Sequence, residues 1–88
     1  LAWLIKFDPK AVKELKKLDK VNQKRIIDYL KQKVSVQDNP RIFGKGLTGN
    51  KQGLWRYRVG NYRIICQLKD QDLVILVIKV GHRSSVYD

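Results

Sequence analysis

The 88-residue sequence contains one cysteine, one histidine, two prolines and no methionine, and only Glu14 among its eight acidic residues is a glutamate. Each scarcity excludes something. Cys66 alone can make neither an internal disulfide nor a zinc site of the usual ligand spacing, and its place in an apolar strand marks it as a core residue. With one histidine, one glutamate and no acidic pair at a recognisable spacing, the conventional acid–base constellations are missing. The glycines of "FGKGLTGNKQG" open no helix and match neither a phosphate loop nor a dinucleotide fingerprint. No metal site and no cofactor are therefore expected. No apolar run approaches the roughly 20 residues of a membrane span, and no secretory leader precedes Phe7. The expectation is a cytoplasmic protein with no membrane partner. The missing methionine, absent even at position 1, points to an initiator that was processed or left off. Internal repeats and low-complexity tracts are absent, and the length suits a single domain, 1–88, with one core.

What the chain has in excess is positive charge. Nineteen lysines and arginines against eight acids give a formal net charge of +11. Such a field concentrates polyanions at the surface and speeds their association. Nucleic acid is the first candidate partner, an acidic protein the second and a membrane surface a distant third. Net charge does not separate these; placement does.

Alternation of Trp3, Ile5 and Phe7 in "LAWLIKF" predicts a half-buried opening strand. Asp8-Pro9 then reads as an N-cap followed by proline at the first helical position. Ala11, Val12, Leu15 and Leu18 recur at helical spacing, with lysines on the opposite side. After a break near 18–21, Ile26, Ile27, Leu30 and Val34 mark a second helix. Residues 35–53 read as a long loop, a feature often tied to function. Strands follow at 54–59, 62–68 and about 73–80, with turns at Gly60-Asn61 and Asp70-Gln71-Asp72. The expected fold is α+β in the order β-α-α-β-β-β, a two-helix hairpin packed on one face of an antiparallel-dominated sheet.

The segment "GLWRYRVGNYRIICQL" gathers three arginines. Strand alternation puts Arg56 and Arg58 on one face and Trp55, Tyr57 and Val59 on the other. A two-residue turn at Gly60-Asn61 sets Arg58 opposite Arg63, so all three arginines share the face away from the helices. Directly opposed like charges cost about 0.2–1 kcal/mol by analogy with other cross-strand pairs. A register for the last strand that buries Val74, Leu76, Ile78 and Val80 turns Lys79 outward beside them, with Arg83 just past Gly81. Arginine suits phosphate, because its planar fork makes paired hydrogen bonds and it stays charged. The alternative is a solvated basic face that merely avoids the core. An enzyme built this way would work by charge stabilisation.

"LWRYRVGNYRII", the closing "VIKVGHRSSVY" and the opening "FDPKAVKELKKL" together resemble the RelE family of bacterial toxins, over essentially the whole chain. The resemblance implies a RelE-like fold of two helices against an antiparallel-rich sheet. It implies a ribosome-dependent endoribonuclease that cuts messenger RNA in the A site of the small subunit. It also implies a cognate, acidic, RelB-like antitoxin. By position, Arg56 and Arg58 match two basic residues, often lysines, that hold the backbone around the scissile phosphate. Arg63 matches the arginine at the reacting phosphate and Arg83 the one associated with the leaving group. Tyr87 matches the tyrosine that stacks on or activates the cleaved nucleotide. Lys79 and His82 join Arg56 and Arg58 in the expected RNA-binding set. The hairpin loop is shorter than in well-known members and both lysine positions are arginine, a poorer proton carrier, which leaves the general base open. Two other readings stand beside this one: a ParE-like toxin that poisons DNA gyrase, and a non-catalytic RNA-binding module.

Overall fold

The structure is a computed structural model that describes residues 2–84. The chain runs through β1 (Leu4–Phe7), α1 (Pro9–Lys16) and α2 (Lys20–Asp28), then β2 (Lys45–Gly46), β3 (Trp55–Val59), β4 (Tyr62–Lys69) and β5 (Val74–His82). Among the described residues these strands form one sheet in the order β1-β5-β4-β3-β2. β1 runs parallel to β5 and every other pairing is antiparallel. No described helix is long and apolar enough to cross a membrane.

Local chemistry explains the helices. The Asp8 carboxylate accepts a hydrogen bond from the Lys10 N–H at 3.2 Å, and Pro9 occupies the first turn where no N–H is needed. α2 runs directly into a π-helical turn, Tyr29–Val34, closed by the Ser35 N–H on the Leu30 carbonyl at 2.9 Å. Ile26, Leu30 and Val34 lie four residues apart along it and are fully buried with Ala11 of α1. They pack on Tyr57, Val59, Ile64, Cys66, Ile75, Val77 and Val80 from the sheet. The helices therefore cover one face of the sheet, as expected, and leave the other to the arginines.

Two features differ from the sequence reading. Lys45–Gly46, within the expected loop, forms a short edge strand against Trp55 and Arg56. The inward residues of β5 also change phase along the strand. Ile65 pairs with Lys79 but Cys66 pairs with Val77, so Ile78 is an extra residue in a β-bulge. Val80 stays inward and Lys79 outward, but below the bulge Ile75 and Val77 fill the core. Val74 and Leu76, expected in that core, stand opposite Lys69 and Gln67 on the other face, and Ile78 occupies the bulge.

The 35–53 segment is held against the sheet by aromatic donors. Trp3 Nε1 donates to the Asp38 carbonyl at 3.3 Å, Tyr57 Oη to Pro40 at 2.8 Å and Trp55 Nε1 to Phe43 at 2.7 Å. Arg41 adds a two-pronged pair with Asp70 at 2.8 and 2.9 Å. That hydrogen bonding holds the Asp70 carboxyl below its ordinary range. Gly44 makes the turn into β2 with φ of 76°. A Cβ there would overlap the Arg56 carbonyl oxygen and come within 2.8 Å of Trp55 Nε1. Gly44→Ala is expected to cost about 2–3 kcal/mol from left-handed strain plus overpacking, read as a lowered midpoint in urea unfolding.

Candidate functional site

The β3–β4 hairpin closes through Gly60-Asn61. Gly60 has φ of 59°, the positive value wanted at the first central position of a type II′ turn. Val59 pairs with Tyr62, and Arg58 therefore stands opposite Arg63. Arg56 pairs with Ile65, which in turn pairs with Lys79 of β5. Arg56, Arg58, Arg63 and Lys79 thus share the face away from the helices, on three adjacent strands. Gly81, beside Arg63 on β5, puts no side chain next to it.

Exposure differs sharply within the group. Arg63 is only 7% exposed, Arg56 is half-buried and Arg58 is open to solvent. A guanidinium held so far out of water interacts more strongly with an anion than one on the surface, because less screening intervenes. The geometry can bind phosphate with planar donor forks and stabilise additional negative charge on it.

Not every expected residue comes to this face. His82 pairs with Tyr62, and the two rings meet edge to face with centroids 5.9 Å apart. Tyr62 packs against the core, so the His82 ring lies on the helix side, with Nδ1 3.0 Å from Ser84 Oγ. Arg83 lies just beyond β5, its N–H donating to the Asn61 carbonyl at 2.9 Å, which fastens this end of the chain to the hairpin turn. Tyr87 lies outside the described residues.

The lone glutamate is also committed. Glu14 Oε1 accepts the Val80 N–H at 2.8 Å, where β5 has run past the end of β1. This bond ties α1 to the strand that carries Lys79 and leads to Arg83. Glu14→Ala is expected to cost about 1–2 kcal/mol by leaving a part-buried N–H unpaired. Glu14→Gln, which still presents an oxygen, should retain most of it. Thermal midpoints and exchange of the Val80 amide check both. Cys66 is fully buried and burial pushes its thiol far above the ordinary range, consistent with a packing role.

A family model described as "ParE toxin of type II toxin-antitoxin system, parDE" matches residues 5–87. The chain belongs to the RelE/ParE toxin superfamily. The mRNA interferase toxin RelE of Escherichia coli strain K12 is 35% identical over 91 residues, covering 99% of this chain and 92% of that protein. Among solved structures, the toxin–antitoxin complex RelBE2 from Mycobacterium tuberculosis superposes with a TM-score of 0.86. It shares 22% identity, with 97% of this chain and 95% of the other covered. The RelB–RelE antitoxin–toxin complex from Methanococcus jannaschii gives a TM-score of 0.68 at 31% identity, covering 94% and 95% of the two chains.

Within this superfamily fold, two residues reach the site that sequence reasoning did not select. Lys45 on β2 pairs with Arg56 and extends the basic face by one strand. Tyr29, from the π-helical turn, lines a cleft of about 220 Å³ together with Gly44, Lys45, Arg56 and Arg58. Neither carried a local signal. A two-residue strand has no alternation to detect, and Tyr29 reads as one more apolar position on a helix.

Proposed function

We propose that this chain is the toxin of a bacterial type II toxin–antitoxin pair and an endoribonuclease that cuts messenger RNA in the A site of the small ribosomal subunit. The observation that carries the reading is the set of cations on one sheet face, with the half-buried Arg56 and the nearly buried Arg63 beside Arg58 and Lys79. The full-length relative named an mRNA interferase supports it. RNA supplies its own nucleophile. The 2′-hydroxyl attacks the adjacent phosphorus, the bond to the 5′-oxygen of the next nucleotide breaks, and the products are a 2′,3′-cyclic phosphate and a 5′-hydroxyl. The proton lost from the 2′-hydroxyl is balanced by one gained at the leaving oxygen. Arg63 and Arg83 stabilise the charge that builds on the phosphate, while Arg56, Arg58 and Lys79 hold the backbone. Tyr87 stacks on the cleaved nucleotide or takes the proton.

The partner in this reading is an acidic antitoxin of the RelB kind. The +11 charge attracts it, and the Methanococcus jannaschii complex supplies a precedent in a 31% identical toxin. The toxin would act in the cytoplasm, where ribosomes are. The test is brief induction in growing cells with mapping of RNA ends. Cuts within translated messenger that precede any DNA-damage response are expected. Intact messenger with gyrase trapped on DNA would overturn the reading in favour of the ParE-like activity.

A further inference from the structure

Strand register shows what the cleft beside Arg58 contains. Val59 and Tyr62 flank a two-residue turn, so they exchange both ladder hydrogen bonds and direct their N–H and C=O groups at each other. Two residues on, Tyr57 likewise faces β4, and the intervening Arg58 turns its N–H and C=O toward the outer edge of β3. The bond from the Leu47 N–H to the Leu54 carbonyl, 2.9 Å, fits the same parity on the β2 side. Continued by two residues, the Lys45–Arg56 register would bring Phe43 opposite Arg58. Gly44, at φ of 76°, turns the chain away instead. Tyr29, Gly44, Lys45, Arg56 and Arg58 line the cleft at this edge, where the Tyr29 ring also meets Tyr57 and Phe43 with centroids 6.2 and 6.4 Å apart.

We infer that this cleft is a nucleotide subsite, holding one nucleotide of a single-stranded RNA that flanks the cut. The inference rests on the reading of the arginine face as an RNA-cleaving surface and extends it outward by one strand. Three cations beside an aromatic ring match a phosphate next to a base. Arg56 and Arg58, two residues apart on one face, are spaced about 7 Å along the strand, comparable to the step between consecutive phosphates of an extended chain. The outward Arg58 N–H is a further phosphate donor. A peptide strand fits less well. Only Tyr57, Arg58 and Val59 lie beyond β2, and among them Arg58 alone offers both groups to a newcomer, too few for strand addition.

The test uses the full chain and two probes. One is a fluorescein-labelled single-stranded RNA with 2′-O-methyl groups, which cannot be cut by this chemistry. The other is messenger programmed on ribosomes. Lys45→Gln and Tyr29→Leu are each expected to weaken binding of the blocked RNA by about 5–30-fold. Lys45→Gln should also lower the slope of log affinity against log salt by about 0.7, the contribution of one phosphate contact on a single strand. Lys31→Gln, an exposed helical lysine away from the sheet face, controls for net charge and should leave both readings near wild type. Thermal melts identify any variant that fails to fold, and the lysine variant carries the test if the tyrosine one does. Wild-type cleavage with Lys45→Gln binding and salt slope unchanged would overturn the subsite while leaving the ribonuclease intact. Loss of affinity for an acidic peptide alone, with RNA binding unaltered, would also overturn it. A wild type that neither binds nor cuts RNA would overturn the proposed function, and the subsite with it.

Discussion

Arg63→Ala is expected to slow single-turnover cleavage of ribosome-programmed messenger by about 10²–10³-fold, the loss typical of removing one preorganised donor from a developing oxyanion. The expectation follows from its setting. Arg63 is the least exposed cation of the face, with Arg58 across one ladder and Gly81 across the other. Few waters are available to replace it, and its charge is little screened. Arg63→Lys keeps the charge but loses the planar fork, so it should recover only part of the rate. Binding to ribosomes, spread over many cations, should change far less than the rate. A thermal melt of each variant separates lost chemistry from lost fold. Undiminished cleavage by folded Arg63→Ala would remove the residue from the reacting phosphate.

The second large effect concerns the substrate. The same RNA, free in solution, should be cut at least about 10³-fold more slowly than on the ribosome. The described part of the face explains why. The histidine ring lies on the helix side against Tyr62, and the only glutamate is bonded to the Val80 N–H. The sheet face therefore presents cations without an imidazole or a carboxylate from either residue. Charge stabilisation alone leaves the 2′-hydroxyl to be aligned with the phosphate, and a ribosome that holds the messenger in place can provide that alignment. Comparable rates on free and ribosome-bound RNA would contradict this division of labour.

How much of this was legible in the sequence depended on which constraint acted locally. The hairpin register was legible because a two-residue turn leaves strand pairing little freedom. Once Val59 meets Tyr62, Arg58 must meet Arg63. Alternation from Val80 puts Lys79 on the correct face, yet the same alternation inverts Val74 and Leu76 below it. "LVILVIKV" is apolar at every position but one, so it carries no trace of the bulge at Ile78 that puts Ile75 and Val77 in the core. The direction of His82 came from its pairing with Tyr62, which no single-residue signal shows. Lys45 was hidden in a glycine-rich stretch whose order comes from distant donors, Trp55 and Tyr57. The helices, by contrast, were written in capping residues and spacing, and only the π-helical closure at Ser35 was not.

In the proposed reaction the arginine face cuts RNA through the RNA's own hydroxyl. The most direct measurement is single-turnover cleavage by the wild-type chain of two messengers on ribosomes. One is all RNA, and the other carries a single 2′-deoxy substitution at the nucleotide that is cut. The expected result is cleavage of the first to a 2′,3′-cyclic phosphate and a 5′-hydroxyl, with no cleavage of the second at that position. Equal cutting of both messengers, or products ending in a 3′-hydroxyl and a 5′-phosphate, would contradict it.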